Sequence, residues 1–252
     1  MFSELNSILN TSPENCPQGE FTLVSDRKAD ASFLIHHFLS FYLRAGCKVC
    51  FLGLVQSFSH YSAVSQRLGV SLTQAREKGQ LVFLEGLKGA LGVLLEEEPS
   101  PGTHMLGFLR SPRSDLRELF EFVRASSTVL LSLGVRVGAV VDFAHYCRAF
   151  VCSKLQGNMV MLIRGEDEEE EECDEEGAEW LLRALTHQCS LALRVQGLPT
   201  GYCRDIHGQM EVFWRGHGSS VTGPQTQQKL FQYKVHDKGV SFFARGTSSA
   251  VL

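Results

Sequence analysis

The chain has 252 residues, 44% of them hydrophobic and 21% charged, enough for one large α/β domain that buries roughly three quarters of its unfolded surface. No apolar run reaches the ~18 residues of a membrane helix, and the N-terminal MFSELNSILN carries acid where a secretory leader is basic, so a soluble intracellular protein is expected. The formal net charge is −4, yet ten of the eleven residues from Glu166 to Glu176 are acidic; without those ten the net is +6, which permits nucleic-acid contact but does not establish it.

In chain order, Phe2 to Leu9 can form a short helix, and Pro13 and Pro17 break the path after it. Phe21, Leu23 and Val24 open a first strand, a polar turn runs from Ser25 to Ser32, and a long amphipathic helix ends at Gly46. Strand, turn and helix in that order suit the phosphate-binding loop G-x-x-x-x-G-K-[ST], whose glycines let backbone N–H groups wrap a phosphate. Laid in register, Ser25 and Asp30 stand for the glycines, Ala31 for the lysine, and Ser32 alone keeps its type. Asp26 and Asp30 would repel a triphosphate by about 1 to 4 kcal/mol per charge at 4 Å. Taken alone, the stretch fits a degenerate phosphate loop and an ordinary first strand and helix equally well.

Within the helix, His36 and His37 point about 100° apart, so they suit packing better than a joint ligand site. Cys47-Lys48-Val49-Cys50 has redox or zinc spacing but enters a strand, and no second pair completes a metal set; the eight cysteines read as free, mostly buried thiols. Val49 to Val55 is a strand buried on both faces, Ser57 caps a helix through Leu68, Ser71 to Lys78 is a second short helix, and Leu81 to Leu84 is another buried strand. Glu85, at that strand's carboxyl end, is the best single candidate for a general base. Leu87 to Pro112 reads as a flexible connection and Pro112 to Ala125 as a helix.

Thr128 to Ser153 is ambiguous. Val137 to Asp142 imitates the apolar strand whose aspartate holds Mg²⁺ in nucleotide hydrolases, but Leu133, Val137, Val140, Ala144, Cys147 and Val151 recur at helical steps. Helix is the reading adopted, which leaves Asp142 and His145 one turn apart and no metal site. Asn158 to Arg164 is a buried strand. The acidic run repels itself and cannot pack, so about 165–177 is expected to be a disordered loop, with a decoy for a basic partner surface as the lesser reading. Gly177 to His187 is a helix. Four short strands follow, Cys189 to Val195, Gln209 to Arg215, Lys229 to Val235 and Val240 to Ala244, the last two joined through Gly239 at a positive φ.

A parallel α/β part ending in antiparallel strands is the order of the ATPase core of recombinases. FLIHHFLSFYLRAGCKVCFLGLVQSFSHYS, RLGVSL, GQLVFLEGLK, GYCRDIHGQ, KGVSFFARG and the terminal SSAVL resemble the vertebrate family of the sixth Elongator subunit, from Met1 to the C-terminus. The resemblance implies one α/β domain over 1–252, a three-layer RecA-like (P-loop NTPase-type) fold. Its central sheet is mostly parallel, with helices on both faces and antiparallel C-terminal strands. It implies a non-catalytic subunit that joins the fourth and fifth subunits, two copies of each, in a hetero-hexameric ring. That ring binds tRNA and serves the rest of the Elongator complex in modifying the wobble uridine U34, with the chemistry in another subunit.

No catalytic residue, cofactor or metal is then expected, and Ser25, Asp30, Ala31 and Ser32 mark the degenerate loop. Arg27 and Lys28 are the nucleic-acid contacts to test, against a plain reading as solvated charge. A nucleotide-regulated ATPase or switch would need a rebuilt site using Arg27, Lys28 and Ser32; a transferase on a doubly wound sheet lacks any G-x-G-x-x-G.

One departure stands out. Members of the family carry a further segment between the helix ending near Ala125 and that starting near Thr128, including a central strand. Here either the sheet lacks that strand, Val129 to Leu133 substitutes for it, or the sequence is a splice or gene-model variant. Losing a central parallel strand would orphan hydrogen bonds on both sides.

Overall fold

A computed structural model describes residues 2–85, 129–131, 137–165, 178–199, 201, 203–215 and 226–244. The expected loop from Leu87 to Pro112, the helix from Pro112 to Ala125 and the acidic run from Glu166 to Glu176 lie outside these residues. The chain runs α1 (Ser3–Leu9), β1 (Phe21–Arg27), α2 (Ser32–Arg44), β2 (Val49–Gly53), α3 (Phe58–Arg67), α4 (Leu72–Glu77) and β3 (Leu81–Glu85). It continues with β4 (Val129–Leu131), α5 (Val137–Cys147) extended by a π-helical turn (Arg148–Lys154), β5 (Met159–Arg164) and α6 (Ala178–Thr186). Strands β6 (Leu191–Gln196), β7 (Gly208–Arg215), β8 (Thr226–His236) and β9 (Gly239–Ala244) follow.

The nine strands among the described residues form one sheet in the order β3-β2-β4-β5-β1-β6-β7-β8-β9. The first six are mutually parallel and β7, β8 and β9 are added antiparallel. The strand beginning near Cys189 is therefore the last parallel strand rather than the first of an antiparallel set. Its Val24 partner Leu193 also faces Val212 of β7, so β6 is the seam between the two halves.

The side-chain alternation of β1 explains the layers. Val24 joins the core beneath α2, while Phe21 and Leu23 join the core beneath α5 and α6. Helices α1 to α4 cover the first face and α5, its π-helical extension and α6 cover the second. Eleven of the thirteen residues of α2 are buried, which is why its sequence is apolar on more than one face. The helix reading for Val137 to Val151 holds where side chains are described: Val140, Ala144, Cys147 and Val151 are all buried. Ser57 caps α3 by accepting from the His60 N–H at 3.4 Å.

Of the alternatives left open for the central strand, the structure shows substitution: β4 lies between β2 and β5, so Val129 to Leu131, within the expected Val129 to Leu133, take that place. Two expectations need correction. β3 lies at the edge of the described sheet with Val82 39% exposed, so it is not buried on both faces. The β8–β9 hairpin pairs His236 with Gly239 around Asp237 and Lys238, but Gly239 has no positive φ; it already belongs to the ladder.

Candidate functional site

The turn between β1 and α2 is shorter than the sequence suggests. Ser25 and Asp26 pair with Ile163 and Arg164 of β5, and Ser25, Asp26 and Arg27 pair with Arg194, Val195 and Gln196 of β6. Hydrogen bonding on both sides holds these polar residues in the strand, so only Lys28 to Ala31 remain to turn the chain. That stretch of four carries none of the glycines that let the motif's backbone wrap a phosphate.

The N-terminus of α2 is already supplied with negative charge. The Asp26 carboxylate accepts from the Ala31 N–H at 3.1 Å through Oδ2, and Asp30 Oδ1 accepts from the Ser32 N–H at 2.8 Å. These are the first backbone donors of the helix, the groups that would otherwise meet a phosphate oxygen. Burial raises the Asp26 carboxyl above its ordinary value, while the Ala31 hydrogen bond and the nearby Arg164 oppose the shift. Arg164 Nε lies 3.6 Å from the second oxygen, Oδ1, an ion pair without a hydrogen bond. Ala31 has no exposed surface, so the position of the motif's lysine is inside the core.

Glycines are absent from the turn but press against it from neighbouring strands. The Gly165 N–H donates to Asp26 O at 2.7 Å and the Gly197 N–H to Arg27 O at 3.1 Å. A Cβ on Gly197 would sit 2.5 Å from Lys28 O, so the β6 end can approach only as glycine. Lys28 itself is exposed at φ +50, a left-handed conformation unusual for lysine.

Arg27 and Lys28 stand in different settings. Arg27 stands on the α6 face of the sheet and bonds Glu179 at 2.9 Å, whereas Lys28 follows the strand's end in the turn. Sequence reading missed the other arginines of that face. Arg183 and Arg194 join Arg27 around a cleft between α6 and the ends of β1 and β6; their separation in sequence, on a helix and a different strand, hides them.

The remaining candidates have structural partners. Glu85 Oε1 accepts from the Phe58 N–H at 3.1 Å and so anchors the start of α3. Asp142 and His145 lie exposed on α5. His37 is buried and its Nδ1 accepts from the Phe2 N–H at 3.0 Å, while His36 packs on His60 and Tyr61. Cys47 lies beside Cys16, whose thiol is pushed up to about 12, chiefly by burial, and Cys50 is buried in β2. The seven described cysteines are free, and no cluster of three His, Cys, Asp or Glu side chains suited to a metal ion occurs among the described residues. A buried asparagine went unread: Asn158 Oδ1 accepts from the Glu20 N–H at 3.0 Å and its Nδ2 donates to Pro17 O at 2.6 Å, tying the start of β5 to that of β1.

The profile of the family described as Elongation complex protein 6 matches residues 2–129 and 126–237. Its two matches meet where the expected family segment is missing. Elongator complex protein 6 of Danio rerio is 64% identical and that of Homo sapiens 52%, each over 100% of both chains. Among solved structures, the flagellar accessory protein FlaH of Methanocaldococcus jannaschii superposes with a TM-score of 0.57 over 95% of each chain at 11% identity, which supports the RecA-like fold alone.

Proposed function

Because the chain belongs to the Elongator complex protein 6 family, and so to the subunits of the Elongator complex, we propose that it is a non-catalytic RecA-like member of a ring built with the fourth and fifth subunits. In this reading the ring holds two copies of each subunit and binds tRNA, and the complex modifies the wobble uridine U34 through another subunit. The protein acts in the cytoplasm, with the nucleus as a second compartment.

The observation that carries the non-catalytic role is the self-filled anion position. Asp26 and Asp30 take the first N–H groups of α2, and Ala31 leaves no cation to draw a γ-phosphate. An enzyme of this fold needs both the free donors and the lysine to stabilise transferring charge. RNA contacts then come from side chains at the rim, of which Lys28 is exposed at the turn and Arg27 lies at the end of β1.

The test is co-expression with the fourth and fifth subunits, followed by titration of the chain with ATP and Mg²⁺. The expected outcome is a stable three-subunit assembly and no turnover by the chain alone. Turnover that disappears on Ser32→Ala would overturn the non-catalytic role, and failure to co-purify would overturn the ring.

A further inference from the structure

Arg27, Arg183 and Arg194 line a cleft of about 140 Å³ that opens between α6 and the carboxyl ends of β1 and β6, with Ser25, Glu179 and Gln196 on its polar wall. It lies on the opposite face of the sheet from α2, since Phe21 and Leu23, in step with Ser25 and Arg27, pack beneath α5 and α6. From this arrangement we infer that the cleft is an oxyanion site that takes a single phosphate group. The inference goes beyond ring membership and does not depend on it.

Charge sets the class of ligand. Among the residues that line the cleft, three guanidinium groups meet the carboxylate of Glu179; Glu211, opposite Arg194 on β7, lies outside the lining and its Oε1 accepts from Gln228 Nε2. Asp26 also borders the cleft, but its carboxylate turns to the α2 side, where it bonds Ala31 and faces Arg164. Guanidinium forks pair with carboxylate and phosphate oxygens alike, but a phosphate group has more acceptor oxygens and up to two charges, so it can meet three cations where one carboxylate spans two.

Size sets the limit. Pockets for small organic ligands run from about 300 Å³ upward, so this cleft has room for one phosphate group and not for a whole nucleotide. Its place, beyond the carboxyl ends of parallel strands, is where open α/β sheets bind ligands.

Glu179 already plays the anion. Its Oε2 accepts from Arg27 at 2.9 Å and its Oε1 lies 3.4 Å from Arg183 Nε, so one carboxylate spans two of the three cations. Being 54% exposed, it is weakly held and can yield to a stronger oxyanion. Arg194 is braced differently: its guanidinium carbon lies 4.8 Å from the Phe213 ring centroid, which restrains the fork before any ligand arrives.

The test is thermal unfolding of the full-length chain against inorganic phosphate, with ionic strength held constant by chloride. Saturable stabilisation by phosphate is expected. Arg183→Gln and Arg194→Gln should each weaken apparent affinity about tenfold, as the loss of one charge-assisted pair implies. Glu179→Gln should do the reverse and tighten it several-fold, because the internal competitor is gone. That gain keeps the inference testable even where an arginine variant folds poorly. Absence of saturation at constant ionic strength overturns the site, and so does Glu179→Gln leaving affinity unchanged or lowered.

Competition identifies the source of the phosphate. Displacement by a short RNA with hydroxyl ends points to a backbone phosphate, displacement by a nucleoside 5′-monophosphate alone points to a phosphomonoester, and displacement by neither leaves inorganic phosphate itself as the ligand.

Discussion

The Asp26 carboxylate accepts a hydrogen bond from the Ala31 N–H five residues along the chain, at 3.1 Å, and so supplies from within the negative charge that a helix N-terminus attracts. Cap and charge can be separated by substitution. Asp26→Ala leaves the buried N–H without a partner and should destabilise the chain by about 1–3 kcal/mol. Asp26→Asn keeps an acceptor in place and removes a charge whose burial is unfavourable, so it should cost much less. Urea unfolding of both variants decides this; equal losses would mean that charge, not the hydrogen bond, is what α2 requires.

Acid should weaken the fold through two histidines. Burial holds His36 down at about 4, with the neighbouring His60 adding to the effect, and holds His37 at about 3, against 6.5 for an ordinary imidazole. The unfolded chain therefore binds more protons between pH 6.5 and those values, and stability falls as pH drops through that window. Each group contributes a slope of up to about 1.4 kcal/mol per pH unit. Asp26 works in the other direction: its raised folded value lets the native state take up a proton first, which offsets part of the loss at the acid end. Urea midpoints measured from pH 7.5 to pH 4.5 should fall steadily below pH 6.5. His37→Gln keeps an acceptor for the Phe2 N–H and should flatten that fall; an unchanged slope would remove His37 from the account.

Strand, turn and helix were legible at β1 and α2 because local pattern determines them: an apolar run, a polar break, then a helix apolar enough to bury. The helical period at Val140, Ala144, Cys147 and Val151 outweighed the strand-like run from Val137 for the same reason. What pattern could not give was pairing. Ser25 to Arg27 look like a turn and become strand because β5 and β6 lie on either side of them. β6 looks like its antiparallel followers, yet its direction follows from pairing with β1. The anion cleft was illegible for a related cause, since Arg27, Arg183 and Arg194 meet only when α6 crosses the strands.

Asn158 is a second contact that only folding brings together, 138 residues from Glu20 in sequence. It is 7% exposed and bridges the segments that lead into two adjacent parallel strands, so its loss would orphan the Glu20 N–H and the Pro17 carbonyl together. Asn158→Ala should destabilise the chain by about 2–4 kcal/mol, combining lost hydrogen bonds with a cavity. Asn158→Asp keeps the acceptor for Glu20 and should recover part of the loss. Denaturant midpoints measure both, and a cost below about 0.5 kcal/mol for the alanine variant would mean that the two strands do not depend on this clamp.

If the chain joins the ring proposed above, RNA affinity should belong to that assembly rather than to the chain. Outside the acidic run the formal charge is only +6, and Arg27 is already engaged by Glu179, so one chain can neutralise few phosphates. Several subunits acting on one tRNA gain by effective concentration what none has alone, so filter binding at several salt concentrations should give tight binding for the three-subunit ring and weak, salt-sensitive binding for the isolated chain. Lys28→Gly is the cleaner probe of a direct contact: it removes the charge and relieves the left-handed backbone at φ +50, so no loss of stability obscures the result. In the ring it should lower the salt slope by about one for each tRNA phosphate that Lys28 meets. Arg27→Gln should alter RNA binding only where a backbone phosphate enters the arginine cleft. Equal affinity of chain and ring would refute the shared surface, and an unchanged slope after Lys28→Gly would take this lysine out of the contact set.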